Sequence, residues 1–304
     1  MSLARGGCNR SRPAGLGRSR SGAVMDGRCT RTLHKLLSED RAVMAPGAAD
    51  ALTARLISEA GYRAIYMTGA GTTATRLGMP DVGLPTMSEM VDNAARIADA
   101  TELPLIADAD TGYGGQLNVR RTVRAFEKVG VAGVHIEDQL WPKRCGHLAG
   151  KTLVPRNEMI EKVRAAVDAR RDQEFLIIAR TDALVVEGFD AAIDRGIAYE
   201  EAGADMIFIE APSTPNELCR MPAAFSVPTV YKMVSSGRTP PLSTAEISEL
   251  GFRLVIYPNL PILAAIPAIR QVLAELQKRT SVAGLSVNLA SFRGFFDNLG
   301  LSEV

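Results

Sequence analysis

The sequence predicts an α/β protein, a (β/α)8 barrel of the TIM type with extra helices at its C-terminal end. From about residue 40 onward, short apolar runs alternate with longer amphipathic segments. The short runs are rich in Val, Ile, Leu and Ala and show little polar alternation, which is typical of parallel strands covered on both faces. The predicted strands are 42–45, 64–68, 104–110, 133–137, 175–180, 206–210, 229–233 and 254–257.

The segments between these strands have helical spacing. Apolar positions recur every four residues in two of them, at Phe189, Ile193 and Ile197 and at Met159, Val163 and Val167. Repeated strand–helix units of this kind fit a closed barrel. An open, doubly wound sheet is the alternative, but such a sheet usually carries a glycine-rich phosphate loop after its first strand. The sequence there, residues 46–50, lacks that pattern.

Composition limits the function classes. The 304 residues carry a formal net charge of +1, so no charge excess indicates a nucleic acid or an anionic membrane as a partner. The uninterrupted apolar runs are too short to span a bilayer. The four cysteines have no metal-ligand spacing and predict reduced thiols in a cytoplasmic enzyme.

The first residues differ from the rest. Residues 1–28 hold six arginines and one acid, Asp26, and they lack the apolar core of a secretory signal. They predict a disordered basic leader before a single domain over 29–304. Import into an organelle is the alternative that an Arg- and Ser-rich start leaves open.

Acidic residues follow the predicted strands where a barrel places its active site. Asp108 and Asp110 are two apart on the third strand, so both side chains are expected on one face. Glu137 ends the fourth strand, and Asp81 lies in the loop after the second. Without clustered His or Cys, this set predicts Mg²⁺, with Mn²⁺ possible, and argues against zinc.

Two further groups can bind an anion. Arg180, at the end of the fifth strand, can hold a carboxylate in its guanidinium fork. The backbone amides of Thr68, Gly69 and Ala70 can bind a second oxygen group, because glycine permits close approach. Beside a metal, they predict a pocket for a small 2-hydroxy or 2-oxo carboxylate.

A cysteine lies in a basic loop after the fourth strand, within Lys143-Arg144-Cys145-Gly146-His147. Neighbouring cations and an imidazole are the setting of reactive thiols. Gly146 offers the flexibility of a loop that closes over a substrate. Taken alone, the pattern fits a surface thiol in a basic turn equally well.

Several ordered motifs decide between these readings. The loop 143–147, together with 108–114, 135–139 and 179–183, resembles the isocitrate lyase / phosphoenolpyruvate mutase superfamily in its lyase branch. The resemblance runs from about residue 30 to 300. It implies a Mg²⁺-dependent lyase that cleaves a carbon–carbon bond in a small 2-hydroxy di- or tricarboxylate of the alkylmalate or methylisocitrate type. A 2-oxo acid such as pyruvate and a second carboxylate are the implied products.

The resemblance also implies residue roles. Asp108 is the expected direct metal ligand, while Asp81, Asp110 and Glu137 hold the metal's waters. Arg180 and the amides of residues 68–70 bind substrate, with Gly146 and His147 contributing from the loop. Cys145 protonates the carbanion-like fragment after the bond breaks, His147 orients the loop, and Glu210 assists near the leaving fragment. Oxaloacetate hydrolase or decarboxylase activity and phosphonate mutase or hydrolase activity are the alternatives on the same scaffold.

The sequence departs from the superfamily pattern in the seventh strand region. Lys232 and Ser235 stand where an Asn and an acid are usual. Lys232 is expected to contact a substrate carboxylate, unless it points away or pairs with Glu210. The residues 68–70 differ as well, since methylisocitrate lyases typically carry Ser-Gly-Gly there. These differences make the reaction type firmer than the substrate.

The C-terminal segment, 283–304, contains Phe292, Phe295 and Phe296. An apolar cluster beyond a complete barrel needs a cover. The resemblance implies a helix exchanged with a neighbouring subunit in a homodimer or homotetramer. Folding back onto its own barrel is the alternative.

Overall fold

The computed structural model of the chain describes residues 27–146, 150–285 and 289–301. Strands and helices alternate along it as the sequence predicts. The strands are β1 Val43–Ala48, β2 Ile65–Met67, β3 Leu105–Asp108, β4 Gly133–Glu137, β5 Leu176–Thr181, β6 Met206–Ile209, β7 Val230–Lys232 and β8 Leu254–Tyr257. The predicted leader lies outside the described residues, apart from Gly27 and Arg28, and stays a prediction.

One helix, α1 Arg28–Leu37, precedes the first strand, and the other helices follow the strands. These are α2 Ala51–Glu59, α3 Gly69–Leu77, α4 Met87–Asp99, α5 Gln116–Lys128, α6 Arg156–Ala169, α7 Ala183–Val186, α8 Phe189–Glu201, α9 Pro215–Ala223, α10 Thr244–Glu249, α11 Leu260–Arg279 and α12 Phe292–Asn298.

All strand pairs are parallel, in the order β6-β5-β4-β3-β2-β1-β8-β7. The first and last strands of the chain pair with each other, for example Val43 with Leu254. Between β6 and β7 a single parallel bridge, Ile207 to Thr229, closes the ring. The predicted (β/α)8 barrel is confirmed, and the open-sheet alternative is wrong.

Apolar side chains fill the barrel and the layer between its strands and helices. One buried cluster lines the inside, and three leucines of α1, Leu33, Leu36 and Leu37, join it and cover one end of the barrel. A larger cluster packs the outer faces of the strands against the helices. Because both faces of each strand are covered, the strands read as nearly continuous apolar runs.

The last helices leave this packing. Within the described residues of α11 no side chain is buried, and Ile269 and Leu273 are 56% and 59% exposed. The rings of Phe292, Phe295 and Phe296 pack on one another in α12. By length and composition alone, α11 is the one helix in the described part of the chain that is long and apolar enough to cross a membrane.

Candidate active site

The charged side chains of the pocket and the apolar side chains inside the barrel belong to the same inward faces of the strands. Side chains two apart on a strand share a face. Ile106, Ile178, Phe208 and Val230 fill the barrel, and two residues after each comes a charged residue. These four charged residues are Asp108, Arg180, Glu210 and Lys232, all buried. The barrel therefore changes from apolar to charged at the carboxyl ends of its strands, where the sequence predicted the site.

Asp108 lies at the centre of one half of the pocket. The Tyr66 hydroxyl is 2.7 Å from His135 Nε2 and 3.4 Å from Asp108 Oδ2. His135 Nε2 is 3.4 Å from Asp108 Oδ1, which also accepts the Asp110 amide at 3.0 Å. Burial works to raise the pKa of Asp108, but His135, Lys143 and Arg180 outweigh it and lower that pKa to about 2. Asp108 is thus a buried, ionised carboxylate.

The backbone of α3 meets this carboxylate. Thr68 caps the helix by accepting the Gly71 amide at 3.1 Å. A side chain on Gly69 has no room, because a Cβ there would lie 2.5 Å from Asp108 Oδ2. The Thr68 amide donates to Ala48 at 3.3 Å, so of the three amides predicted to bind an anion it is already used. Gly69 and Ala70 form the first turn of the helix, where amides lack helical acceptors.

Lys143 enters the acidic cluster from the cysteine loop. Its ammonium lies 2.5 Å from Asp81 Oδ1 and 2.8 Å from Asp110 Oδ1. Burial would lower the pKa of Lys143, but Asp110, Glu137 and Asp108 raise it well above its ordinary value. Burial raises the pKa of Asp110 to about 6 against the opposing effect of Lys143. The sequence had assigned Lys143 only to the surroundings of the thiol.

The predicted metal ligands lie in one region but are not all arranged as predicted. β3 ends at Asp108, and Asp110 adopts a left-handed backbone (φ 46°), so these two acids do not share one strand face. Within the described residues, no three His, Cys, Asp or Glu side chains converge as a ready metal cage. Asp110 Oδ1 and Glu137 Oε2 face the cations of Lys143 and Arg180, whereas the buried Glu137 Oε1 has no hydrogen bond among the described residues, which fits a hard cation as its partner.

Arg180 organises the other half of the pocket. Its guanidinium contacts Asp182 at 3.0 Å, Glu137 at 3.1 Å and Glu210 at 3.6 Å. Burial would lower the pKa of Arg180, but Asp182, Glu137 and Glu210 raise it. The predicted carboxylate fork is therefore already surrounded by protein carboxylates, and a substrate anion must compete with them.

Lys232 forms an ion pair with Glu210, one of the two alternatives considered for it. Both side chains are almost fully buried. Ser235 is exposed and lies after the end of β7. The cation that replaces the usual Asn therefore belongs to the pocket, beside Arg180.

The cysteine segment, residues 141–146, lies against this pocket. A Cβ on Gly146 would be 2.4 Å from Glu210 Oε1 and 2.7 Å from Arg180 Nη2. Cys145 is half-buried, and its amide donates to the Asp81 carbonyl at 3.2 Å. The segment thus connects the acidic cluster to the Arg180 side. His147 lies outside the described residues, and its role stays a prediction.

The family comparison agrees with this geometry. The family model described as phosphoenolpyruvate phosphomutase matches residues 33–277, which is most of the chain. The chain belongs to the phosphoenolpyruvate mutase/isocitrate lyase superfamily. The matched range includes every strand of the barrel and every site residue described above.

Individual superfamily members resemble the chain over almost its full length. 2,3-Dimethylmalate lyase of Eubacterium barkeri is 46% identical over 272 residues, which cover 90% of this chain and 94% of the relative. A solved structure of oxaloacetate acetylhydrolase with 3,3-difluorooxalacetate has a TM-score of 0.86 at 38% identity, covering 91% and 94%. Phosphonopyruvate hydrolase in complex with oxalate and Mg²⁺ has a TM-score of 0.81 at 33% identity, covering 90% and 95%.

Several pocket residues of this superfamily member escaped the sequence prediction. Tyr66 and His135 were read only as parts of strands, although each lies two residues before a predicted site residue and so faces the same way. That spacing could have identified both residues. Asp182 and Lys151 were harder to identify, because they contact each other at 2.6 Å although they lie 31 positions apart in the sequence.

Proposed function

We propose that the protein is a Mg²⁺-dependent carbon–carbon lyase that cleaves a small 2-hydroxy dicarboxylate of the alkylmalate type, or methylisocitrate, to a 2-oxo acid and a second carboxylate. One observation carries the proposal: the Cys145 segment bridges the Asp108 acidic cluster and the Arg180–Glu210–Lys232 cluster. The 46% identity to a 2,3-dimethylmalate lyase supports both the reaction and the alkylmalate class.

The chemistry assigns a task to each side of the pocket. In the cleavage, the hydroxyl carbon becomes a carbonyl with loss of the hydroxyl proton, and the electron pair of the broken bond stays on the other fragment. Cys145 gives that fragment a proton, and the resulting thiolate regains one from the solvent, which takes up the hydroxyl proton. Arg180 and Lys232 are cations for its carboxylate, whose negative charge grows as the bond breaks. Gly69, Ala70 and Gly146 let the backbone approach the substrate closely.

The metal proposal rests on the oxygen groups of the acidic cluster. Asp108 is the proposed direct ligand, and Asp81, Asp110 and Glu137 are proposed to hold metal-bound water. When bound, Mg²⁺ stabilises negative charge on chelating substrate oxygens. The buried Glu137 Oε1, which has no hydrogen bond among the described residues, supports this proposal, as does the Mg²⁺ in the phosphonopyruvate hydrolase complex.

Metal removal tests this assignment. Excess chelator is expected to abolish turnover, and Mg²⁺ or Mn²⁺ to restore it. Without substrate, Mg²⁺ is expected to raise the thermal midpoint of the wild-type protein, because binding to the folded state stabilises it. Asp108→Asn is expected to lose this shift, while Asp99→Asn, outside the pocket, keeps it. Full turnover in chelator with an unchanged midpoint would remove the metal from the proposal.

A substrate panel tests the reaction. Wild-type protein with Mg²⁺ is given alkylmalates including 2,3-dimethylmalate, then methylisocitrate, isocitrate and oxaloacetate, with release of pyruvate, glyoxylate and oxalate measured. Cys145→Ala is expected to lower alkylmalate cleavage by at least about 100-fold. Cys29→Ala and Cys219→Ala are the matched controls and keep turnover. The lyase assignment is wrong if Cys145→Ala leaves every cleavage rate unchanged.

Oxaloacetate hydrolysis is the second candidate. The structural likeness to oxaloacetate acetylhydrolase favours it, with a TM-score of 0.86. The panel separates the two functions, because hydrolysis of oxaloacetate releases oxalate and acetate and no pyruvate. Oxalate release that exceeds pyruvate release from every alkylmalate would favour the hydrolase.

The proposed assembly is a cytoplasmic homodimer or homotetramer in which α11 packs on a second copy. The apolar surface of α11 supports this proposal, because it is exposed in the described part of its own chain. Arg270 and Glu275 lie inside the helix, and charged residues are costly in a bilayer centre, which favours a protein partner over a membrane. The exchange of helices stays a prediction.

A further inference from the structure

The cysteine segment is held at three consecutive residues. The Gln139 side chain accepts the Arg144 amide and donates to the Arg144 carbonyl, both at 2.9 Å. The Cys145 amide donates to the Asp81 carbonyl. Lys151 Nζ donates to the Gly146 carbonyl at 2.7 Å. The peptide groups before and after the thiol are therefore both tied to the barrel.

Lys151 differs from the other two contacts because it joins the segment to the Arg180 cluster. The same ammonium donates to Asp182 Oδ1 at 2.6 Å, and both side chains are at least 97% buried. Asp182 in turn accepts from Arg180 Nε at 3.0 Å. One cation thus connects the peptide after Cys145 to the carboxylate that orients Arg180.

We propose that Lys151 is a positioning residue, which fixes Cys145 relative to Arg180 through the Gly146 carbonyl and Asp182. The proposal rests on the proposed lyase function for its effect on turnover, but not for its effect on the thiol. Charge-assisted hydrogen bonds of this length are strong and directional. A misplacement of about 1 Å is enough to lower proton transfer by about 100-fold.

The geometry separates two effects of losing Lys151. Asp182 keeps its contact with Arg180 in the absence of the ammonium, so substrate carboxylate binding changes little. The Gly146 carbonyl loses its contact, so the thiol is no longer held at the reacting carbon. The expected result is a fall in kcat with KM preserved.

The variants are Lys151→Met, Lys151→Gln and Lys151→Arg, with Lys128→Met on the exposed end of α5 as the matched control. Turnover of the best alkylmalate is measured first. Alkylation of Cys145 by iodoacetamide is measured second, in a background where Cys8, Cys29 and Cys219 are Ser. Thermal denaturation identifies variants that fold.

Lys151→Met is expected to lower kcat by about tenfold or more, with KM within about threefold of wild type. Its Cys145 is expected to react at least about threefold faster with iodoacetamide, because the segment is released. Lys151→Arg, which keeps the charge and donors, is expected to recover part of both effects, and Lys128→Met to show neither. If Lys151→Met does not fold, Lys151→Gln is judged by the same values.

Unchanged alkylation of Cys145 together with an unchanged kcat would overturn the proposal. A rise in KM alone would also overturn it, because that result assigns Lys151 to substrate binding through Arg180. If the wild type cleaves no substrate, the lyase function fails, and the alkylation rates still decide whether Lys151 holds the cysteine segment.

Discussion

Single residues at or near the carboxyl ends of strands form the pocket. Asp108 and Glu137 are the last residues of β3 and β4, and Arg180 is the last but one of β5. The sequence predicts all three at or near the end of a strand, although it extends the third strand to residue 110, and strand position determines where such side chains point. Lys143 could not be placed in this way. Its contact with Asp81 joins two loop residues that are 62 positions apart, and neither loop has a sequence periodicity that indicates contact with the other.

The fit of Gly69 against Asp108 gives a prediction at the residue scale. Gly69→Ala is expected to lower kcat/KM by at least about 100-fold, because the new Cβ must displace the Asp108 carboxylate or the first turn of α3. The Mg²⁺ concentration required for turnover is expected to rise as well.

Gly115→Ala is the matched control. Gly115 is the N-cap of α5, with φ −78°, and thus lies at a helix N-terminus as Gly69 does, but a Cβ on Gly115 meets nothing within 4 Å. The control is expected to keep full turnover. Equal activity of the two variants would show that the close contact at Gly69 has no functional consequence.

At the scale of elements, α8 shows what a periodic pattern misses. The helix predicted from Phe189, Ile193 and Ile197 is confirmed, yet Ile197 is exposed. Its buried residues are Ala192, Arg195, Gly196 and Tyr199. Small and polar residues face inward here because Arg195 and Tyr199 reach the buried carboxylate of Asp138, a contact that apolar spacing does not report.

This contact predicts a stability effect. The Tyr199 hydroxyl donates to Asp138 Oδ2 at 2.8 Å, next to Thr181, which donates to the same oxygen at 2.7 Å. Tyr199→Phe is expected to lower the free energy of unfolding by about 1–2 kcal/mol in urea titrations, because Asp138 loses a buried donor. Tyr62→Phe, at a half-buried position, should change it by less than about 0.5 kcal/mol. A loss for Tyr199→Phe no larger than that of the control would contradict this account.

For the whole molecule, the sequence predicted the closed barrel well because alternating units and buried strands leave few topologies. It predicted less about the ends of the chain. Within the described residues no side chain of α11 is buried, and the sequence does not indicate what packs against this helix. The strand predicted at 229–233 is found as β7, but its single bridge to β6 has no clear sequence signal.

The exposed surface of α11 predicts the state of the protein in solution. Wild-type protein is expected to sediment as a dimer or tetramer at micromolar concentration. Ile269→Glu combined with Leu273→Glu is expected to give monomers, because two charges replace the most exposed apolar side chains in the middle of the helix. Gln277→Glu on the same helix is the control and should keep the assembly. A monomeric wild type would refute the proposed exchange.

Asp81 holds the cysteine segment twice, with its carboxylate on Lys143 and its carbonyl on the Cys145 amide. An insertion or deletion between Lys143 and Cys145 would therefore disturb the acidic cluster and the position of the thiol together. Lys232 reaches the same pocket from β7, where it pairs with Glu210 beside Arg180. A change at position 232 therefore alters the charge around Arg180 but leaves both contacts of Asp81 with the cysteine segment in place, so substrate preference can shift without a change in that segment.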